Sequence, residues 1–322
     1  MASVPRRALA MIPAGAACAI AGFARARIAN SATIPSHVQM PPPLARFSIG
    51  RFTVTALVDG YADMPFSWFT GRPRQAIEGL ARVGFAARPG GIRFVFNQYL
   101  VDDGERLILI DTGPAGAMGD SGHLPAALAA IGVRPERIDA VIVTHAHVDH
   151  IGGLTAGGRR NFPKAILHVD RRDVSHWTDP ANRAAAPDFL QPSFDAAAEM
   201  VRLYPDLQPI DGEREITRGV SVVDLTGHTP GHIGVRIEDA GQSLLMVSDM
   251  LFPAIHPSDA AAGFFFEQDP AAARRMRSRF FALAAAEGAL IAATHMPFPG
   301  LGRIVPDGGQ LRWQPAAWAH EG

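Results

Sequence analysis

The stretch Thr144-His145-Ala146-His147-Val148-Asp149-His150 gathers three imidazoles and a carboxylate into seven residues. It follows Asp139-Ala140-Val141-Ile142-Val143, a short β-branched run of the kind that forms a buried strand. Residues two apart in an extended segment point the same way, so His145 and His147 share a face. Asp149 and His150 follow where the chain must turn before Gly152-Gly153-Leu154. Nitrogen and oxygen donors without thiolate suit zinc, manganese, iron or cobalt. The competing reading, histidines clustered by chance in a core or on a surface, leaves this density of ligand-type residues unexplained.

Moving outward, the apolar runs at 92–101 and 106–110 flank the turn signal Asp102-Asp103-Gly104 and read as a hairpin, with Asp111-Thr112-Gly113 at its end. A helix capped by Ser121 reaches Ile131 and stops at Gly132, with Leu124, Leu128 and Ile131 on one face. The order is strand, helix, strand, with the ligands on the loop after the second strand, where open sheets place their sites. Further upstream, 51–58 is a strand closed by Asp59-Gly60. After it comes the aromatic loop Met64-Pro65-Phe66-Ser67-Trp68-Phe69, either a core plug or one wall of an apolar pocket.

Downstream, 165–169 is a short strand, and 170–176 and 193–203 are helices separated by a Pro- and Ala-rich loop holding Trp177 and Phe189, a candidate lid. Three more strands are expected at 221–225, 234–238 and 243–248, then a long helix at 270–287 opened by Asp269, then a last buried strand at 289–294. Thr226-Gly227-His228-Thr229-Pro230-Gly231-His232, Ser248-Asp249 and Thr294-His295 each place a ligand-type residue at a strand end. Singly each is weak; with the opening stretch they form one constellation. His37, His123, His168, His176 and His320 are poor ligand candidates, and His256 is at most a pocket liner.

Bulk properties agree with a large globular domain. The chain has 322 residues, 48% hydrophobic and 19% charged, too apolar for disorder. A formal net charge of -1 gives no reason to expect nucleic acid or an anionic membrane as partner. The one cysteine, Cys18, excludes a disulfide framework and a cysteine-held structural zinc within the chain.

Arg6-Arg7 precedes a nearly uncharged apolar run to Ala24, and Ala24-Arg25-Ala26 offers the small residues a signal peptidase reads. Residues 1–26 are therefore expected to be an export signal, with a twin-arginine route to the periplasm among the options. A retained anchor or a lipoprotein at Cys18 are the alternatives. Cleavage would remove Arg6, Arg7 and Arg25 and shift the formal charge from -1 to -4. Residues 27–47, polar and proline-rich, are expected to be an extended arm, and 48–322 the globular domain.

Taken together, Asp111-Thr112-Gly113, the His145 to His150 stretch, Gly227-His228, Asp249 and His295 resemble the metallo-β-lactamase superfamily, over roughly residues 48–303. The loops Gly227 to His232 and His295-Met296-Pro297-Phe298-Pro299-Gly300 are most similar to its branch of methyl parathion hydrolases and N-acyl-homoserine lactonases. The resemblance implies an α/β fold, a four-layer αββα sandwich, with a dinuclear metal site at one edge. It implies that His145, His147 and His228 bind one metal, that Asp149, His150 and His295 bind the other, and that Asp249 bridges them. The expected cofactors are two divalent ions, zinc first, with manganese, cobalt or iron as alternatives. Asp149 and Asp249 are the expected catalytic carboxylates, and Asp111 and His232 the residues that orient ligands from behind or merely form turns.

Many lactonases of this superfamily carry a tyrosine three residues after the bridging aspartate, where Asp249-Met250-Leu251-Phe252 has phenylalanine. A phenyl ring cannot donate a hydrogen bond, which argues for a drier, aromatic pocket. Trp68, Phe69, Trp177, Phe252, Phe264, Phe265, Phe266 and Phe298 are its candidate walls, although three consecutive phenylalanines cannot all face one cavity.

The function this implies is a metallo-hydrolase in which a metal-bridging hydroxide attacks a lactone, an ester or a phosphotriester. Glutathione-thioester hydrolysis, an iron-dependent oxygenase and a non-catalytic binding protein are the alternatives. The partner is then a small molecule, with no nucleic acid, no membrane once the signal is removed, and a homodimer as the family-like assembly.

Overall fold

The computed structural model describes residues 43–83, 85–253, 257 and 259–316. The expected export signal, the arm up to residue 42, His256 and His320 lie outside the described residues.

Alternating apolar side chains with both faces buried are what a sheet sandwiched between layers requires, and the chain supplies two such sheets. The first contains β1 (Ala45–Ile49), β2 (Phe52–Pro65), β3 (Gly91–Asp102), β4 (Leu107–Ile110), β5 (Ala140–Val143), β6 (Ile166–Asp170) and β7 (Gln208–Ile210), hydrogen-bonded in that order. The hairpin pairs from β1 to β4 are antiparallel, and β4, β5, β6 and β7 run parallel. The second contains β8 (Arg214–Thr217), β9 (Val220–Asp224), β10 (Ile233–Asp239), β11 (Gln242–Met246), β12 (Leu290–Ala292), β13 (Leu301–Asp307) and β14 (Gln310–Pro315), also in order, with only β11 and β12 parallel.

Side-chain alternation assigns the layers. Ile108, Ile110 and Ile142 pack between the sheets against Val222, Val235, Leu244 and Met246. Their neighbours Leu109, Val141 and Val143 face the other way, onto Leu124, Leu128, Phe194 and Met200 of α2 (Leu124–Ala130, the next helix after α1 at Arg74–Val83) and α6 (Gln191–Leu203). Leu245 and Ile291 of the second sheet meet Phe280, Phe281 and Ala284 of α7 (Pro270–Glu287). The result is helix, sheet, sheet, helix: the αββα sandwich. The ends of α7 follow the sequence rules, since Asp269 accepts from Ala271 N and Ala272 N, Pro270 opens the first turn, and Gly288 closes it in a left-handed conformation (φ 61°).

Several expectations change. Asp59-Gly60 does not end the first long strand; it is a bulge within β2, which runs on to Pro65. A Cβ on Gly60 would lie 2.0 Å from Asp120 O, so only glycine fits there. The aromatic loop is thereby divided: Met64 and Pro65 finish β2, Phe66–Trp68 make one 3₁₀ turn, and Phe69–Thr70 pairs with Gly263–Phe264. Ser121 caps no helix. It pairs with Gly60, its Oγ accepts from Gly116 N, and α2 begins three residues later. The arm does not extend to residue 47, because Ala45 already starts β1, held to β2 by an antiparallel ladder. The lid loop contains α5 (Pro180–Ala185), capped by Asp179, while Trp177 belongs to α4 (Arg171–Thr178).

Between the sheets, backbone and side chains cross at the edge where the ligand loops emerge. Ile233 N donates to Thr144 O at 2.9 Å, and Asn97 N to Thr294 O at 3.0 Å. The Asn97 amide donates to Met296 O (2.7 Å), and the Tyr99 hydroxyl reaches Ala293 O (3.2 Å) and Pro299 O (3.1 Å). Asn97 is 1% exposed, so its removal leaves the buried Met296 carbonyl unpaired, while Ala293 O keeps Tyr99. Asn97→Ala is expected to lower the unfolding free energy by about 1–3 kcal/mol in urea titrations. A loss below about 0.5 kcal/mol, the range of neutral surface changes, would show that these ties do not hold the sheets together.

Candidate metal centre

Each candidate ligand leaves the end of a strand. Thr144 to His150 follow β5, with His150 in the short helix α3 (Val148–Ile151). His228 lies in the turn between β9 and β10, Asp249 follows β11, and His295 follows β12. Because β5 belongs to one sheet and the other three strands to the second, the site lies on the seam between them.

Three nitrogens converge first. His145 Nε2 lies 3.0 Å from His147 Nδ1, which lies 3.0 Å from His228 Nε2. A second group forms from Asp149, His150 and His295: Asp149 Oδ2 is 3.6 Å from His150 Nε2 and 3.5 Å from His295 Nε2. Asp249 stands between the groups. Its Oδ2 is 3.2 Å from His228 Nε2, and its Oδ1 is 3.1 Å from His150 Nε2 and 3.0 Å from His295 Nε2. All seven residues expected from the sequence are thus brought together, and His145, His150 and Asp249 also lie within common reach.

The donor set fits a pair of divalent cations. Zinc–nitrogen bonds of about 2.0–2.1 Å in a tetrahedron place donors roughly 3.3 Å apart, close to what these nitrogens show. The orientations agree as well. Asp111 Oδ2 lies 2.8 Å from His150 Nδ1, which ties that nitrogen to the carboxylate and turns Nε2 inward, toward Asp149 and Asp249. The Val95 carbonyl, 3.2 Å from His295 Nδ1, does the same for His295. Asp111 also accepts from Thr144 N (2.8 Å) and Thr144 Oγ1 (2.7 Å), which places the start of the motif loop. His232 Nδ1 lies 3.1 Å from Leu225 O, and its ring packs 5.1 Å from that of His145, outside both ligand groups.

Burial and charge act oppositely on the two groups. Desolvation holds His145 and His147 well below the usual imidazole range, so they are neutral bases ready to bind a cation. His232 is pushed down to about 3, chiefly by burial. Burial pulls His150 and His295 down too and is the largest single influence on each, but the surrounding carboxylates together outweigh it and raise both: Asp249, Asp149 and Asp111 around His150, and Asp249 and Asp149 around His295. Burial would raise Asp249; the imidazoles of His295, His150 and His228 overcome it and keep the carboxylate ionised. A buried anion ringed by imidazoles is what a cation site needs.

The cleft over these groups is lined by Met64, Phe94, Met118, Phe264 and Phe266 together with His147, Asp149, His228, Asp249 and His295. Of the expected walls, Phe264 and Phe266 face it. Trp68 and Phe265 stack behind them, with Phe265 4.1 Å from Phe189 between ring centroids. Phe69 packs behind Phe94 and Phe264. Phe252 is fully buried, its ring 5.2 Å from Phe94 and 5.8 Å from His295, so it backs a ligand and does not line the cleft. Trp177 is fully buried beneath His147, 5.0 Å away, and belongs to the helical core, not to a lid. Phe298 lines a separate apolar groove of about 410 Å³ with Leu80, Pro297 and Trp313. Sequence reasoning missed Phe94 and Met118. Phe94 sits in β3 opposite Ala62, in a run of alternating apolar residues that gives no local sign of which side faces the cleft.

A family model described as the metallo-beta-lactamase superfamily matches residues 93–295. An N-acyl homoserine lactonase of a Bacillus species is 25% identical over 183 residues, 51% of this chain and 62% of that protein. A hydroxyacylglutathione hydrolase of Aeromonas salmonicida is 28% identical over 187 residues, 58% of this chain and 56% of that protein. The chain thus spans less than two thirds of the length of these relatives. Among solved structures, the hydrolase AbOPH of the beta lactamase superfamily has a TM-score of 0.79 at 28% identity, over 87% of this chain and 99% of that one. AidC, a dizinc quorum-quenching lactonase in complex with a product, shares the fold with a TM-score of 0.79 at 24% identity, over 87% and 99%.

Asp249→Ala is expected to lower bound metal from two equivalents to one or fewer, measured by elemental analysis after dialysis against zinc. Retention of two equivalents would contradict a bridging position for this carboxylate.

Proposed function

We propose, for a chain that belongs to the metallo-β-lactamase superfamily, a dinuclear metal-dependent hydrolase of uncharged lactones, esters or phosphotriesters. The observation that carries this reading is the lining of the cleft: among the described residues, every polar side chain there is a metal-ligand candidate, and every other one is Met or Phe. When bound, two divalent cations supply a hydroxide-strength nucleophile at neutral pH and polarise the oxygen that becomes anionic.

The chain's own residues do the rest. Asp249 reaches both ligand groups and fixes how far apart they stand. Asp149, whose side chain keeps 14% exposure on the cleft side, is placed to pass a proton to a departing alkoxide. Phe94, Phe264, Phe266, Met64 and Met118 exclude water and hold the substrate by dispersion and shape, not by directed bonds. Attack at a carbonyl carbon and at phosphorus make the same demand on this arrangement, so the three substrate types belong to one proposal. The relatives named as a lactonase and as a dizinc lactonase support the lactone member of that set.

Glutathione-thioester hydrolysis is the second reading, supported by the Aeromonas relative. A substrate carrying two carboxylates needs cationic side chains at its binding surface, and no Lys or Arg lines the cleft among the described residues. Zinc as the metal, export directed by residues 1–26 and a homodimer complete the proposal: the His and Asp donors support zinc, Arg6-Arg7 with the apolar run after it supports export, and the family resemblance supports the dimer.

The purified chain is expected to turn over γ-lactones, p-nitrophenyl acetate and methyl paraoxon, to lose more than about 95% of each activity on chelation, and to recover it with zinc. Neutral esters should exceed lactoylglutathione in kcat/KM by about tenfold or more, the effect of leaving a charge unpaired in an apolar cleft. Two bound metals with no chelator-sensitive turnover on any of the three would overturn the hydrolase reading. A preference for lactoylglutathione would move the assignment to the second one.

A further inference from the structure

Asp173 is a carboxylate that the ligand set does not use. It lies in the first turn of α4, three residues from the end of β6, and is fully buried. The sequence Asp170-Arg171-Arg172-Asp173 has the spacing of a capping box, in which the fourth residue turns back to the backbone of the first. Asp170 does cap α4, accepting from Arg172 N at 2.7 Å. Asp173 instead points away from its own helix. Its Oδ2 accepts from Ala146 N at 2.8 Å and from Thr229 Oγ1 at 3.1 Å, and its Oδ1 accepts from Gly231 N at 2.6 Å. Ala146 lies between His145 and His147, and Thr229 follows His228.

Three hydrogen bonds from one buried carboxylate therefore fasten together the two loops that supply His145, His147 and His228. None of them goes to Asp149, His150 or His295. The approach of the His228 loop to α4 is also close: a Cβ on Gly231 would lie 2.7 Å from Asp173 N and from Asp170 Oδ1. Both loops cross from different sheets to reach this helix, so the mutual distance of the three imidazoles depends on the carboxylate between them.

We propose that Asp173 is a positioning residue that sets the affinity of the metal position formed by His145, His147 and His228, without ligating metal, and leaves the other position to Asp111 and the Val95 carbonyl. The inference rests on the dinuclear reading above. Asp173→Asn tests it with almost no change of volume, because one amide face must then meet a backbone N–H with another N–H.

Zinc affinity is measured by competition with a chromophoric chelator in the full chain, wild type and Asp173→Asn, each also carrying His295→Ala or His145→Ala. With His295→Ala, where the tested position is the intact one, Asp173→Asn should weaken zinc by about 10–100-fold, the usual effect of removing an outer partner of a metal ligand. With His145→Ala, where that position is already broken, the further change should stay below about twofold, within the additivity of independent sites. Equal losses in both backgrounds, or no loss, would overturn the proposal. Thr229→Val, which removes one of the three bonds and keeps the buried charge, should give a smaller loss at the same position, and Thr229→Ser should restore it. If Asp173→Asn does not fold, Thr229→Val with wild-type affinity overturns the proposal by itself. A wild-type chain that binds no zinc would overturn the dinuclear reading and this inference together. Two bound zinc ions with an unaltered Asp173→Asn variant would overturn this inference alone.

Discussion

An ionised carboxylate with 4% exposure is among the most costly groups a protein can bury, and Asp249 is one. Its cost is offset only by what surrounds it: His228, His150 and His295 at 3.0–3.2 Å. His228 Nε2 also lies 3.0 Å from His147 Nδ1, so the carboxylate and the imidazoles share the same few nitrogens. The cluster is thus built around a charge that a cation completes. Every ligand loop must arrive within about 3 Å of one point, and the fold can be understood as the means of doing that.

Two sheets meet at that point, and each supplies part of the ligand set. The first contributes the His145 to His150 loop and the anchors Asp111, Asn97 and Tyr99; the second contributes His228, Asp249 and His295. The ties across the seam are short and buried, so the positions of the imidazoles are set by backbone belonging to the opposite sheet. His295 shows this most directly, oriented by the Val95 carbonyl and flanked by carbonyls that Asn97 and Tyr99 hold.

The metal centre was legible in the sequence because its ligands are polar residues at the ends of apolar strands, a contrast that local pattern reveals. Runs such as Leu107-Ile108-Leu109-Ile110 made buried strands legible, whereas the αββα layering followed from the family resemblance that the ligand motifs carry. The cleft was not legible. Trp177, Phe69 and Phe252 are aromatic in the same way as Phe264 and Phe266, and only tertiary packing decides which rings face the cleft, a ligand or the core. Asp173 was invisible for a further reason: its spacing in the sequence fits a local cap, and its partners are 27 and 56–58 residues away.

The wall of the cleft is not independent of the centre. Gln268 N donates to His228 O at 2.9 Å and Asp269 N to Gly227 O at 3.1 Å, immediately after Phe264, Phe265 and Phe266. On the other side, the buried pair of Glu267 with Arg277 pins the same segment to α7. The segment therefore has a fixed length between two anchors, one of which is the backbone of a ligand. Divergence toward new substrates can proceed here by exchanging one ring for another, while insertion or deletion between Phe266 and Asp269 would displace His228. Selectivity in this protein is free to drift in the identity of its wall side chains and constrained in their number.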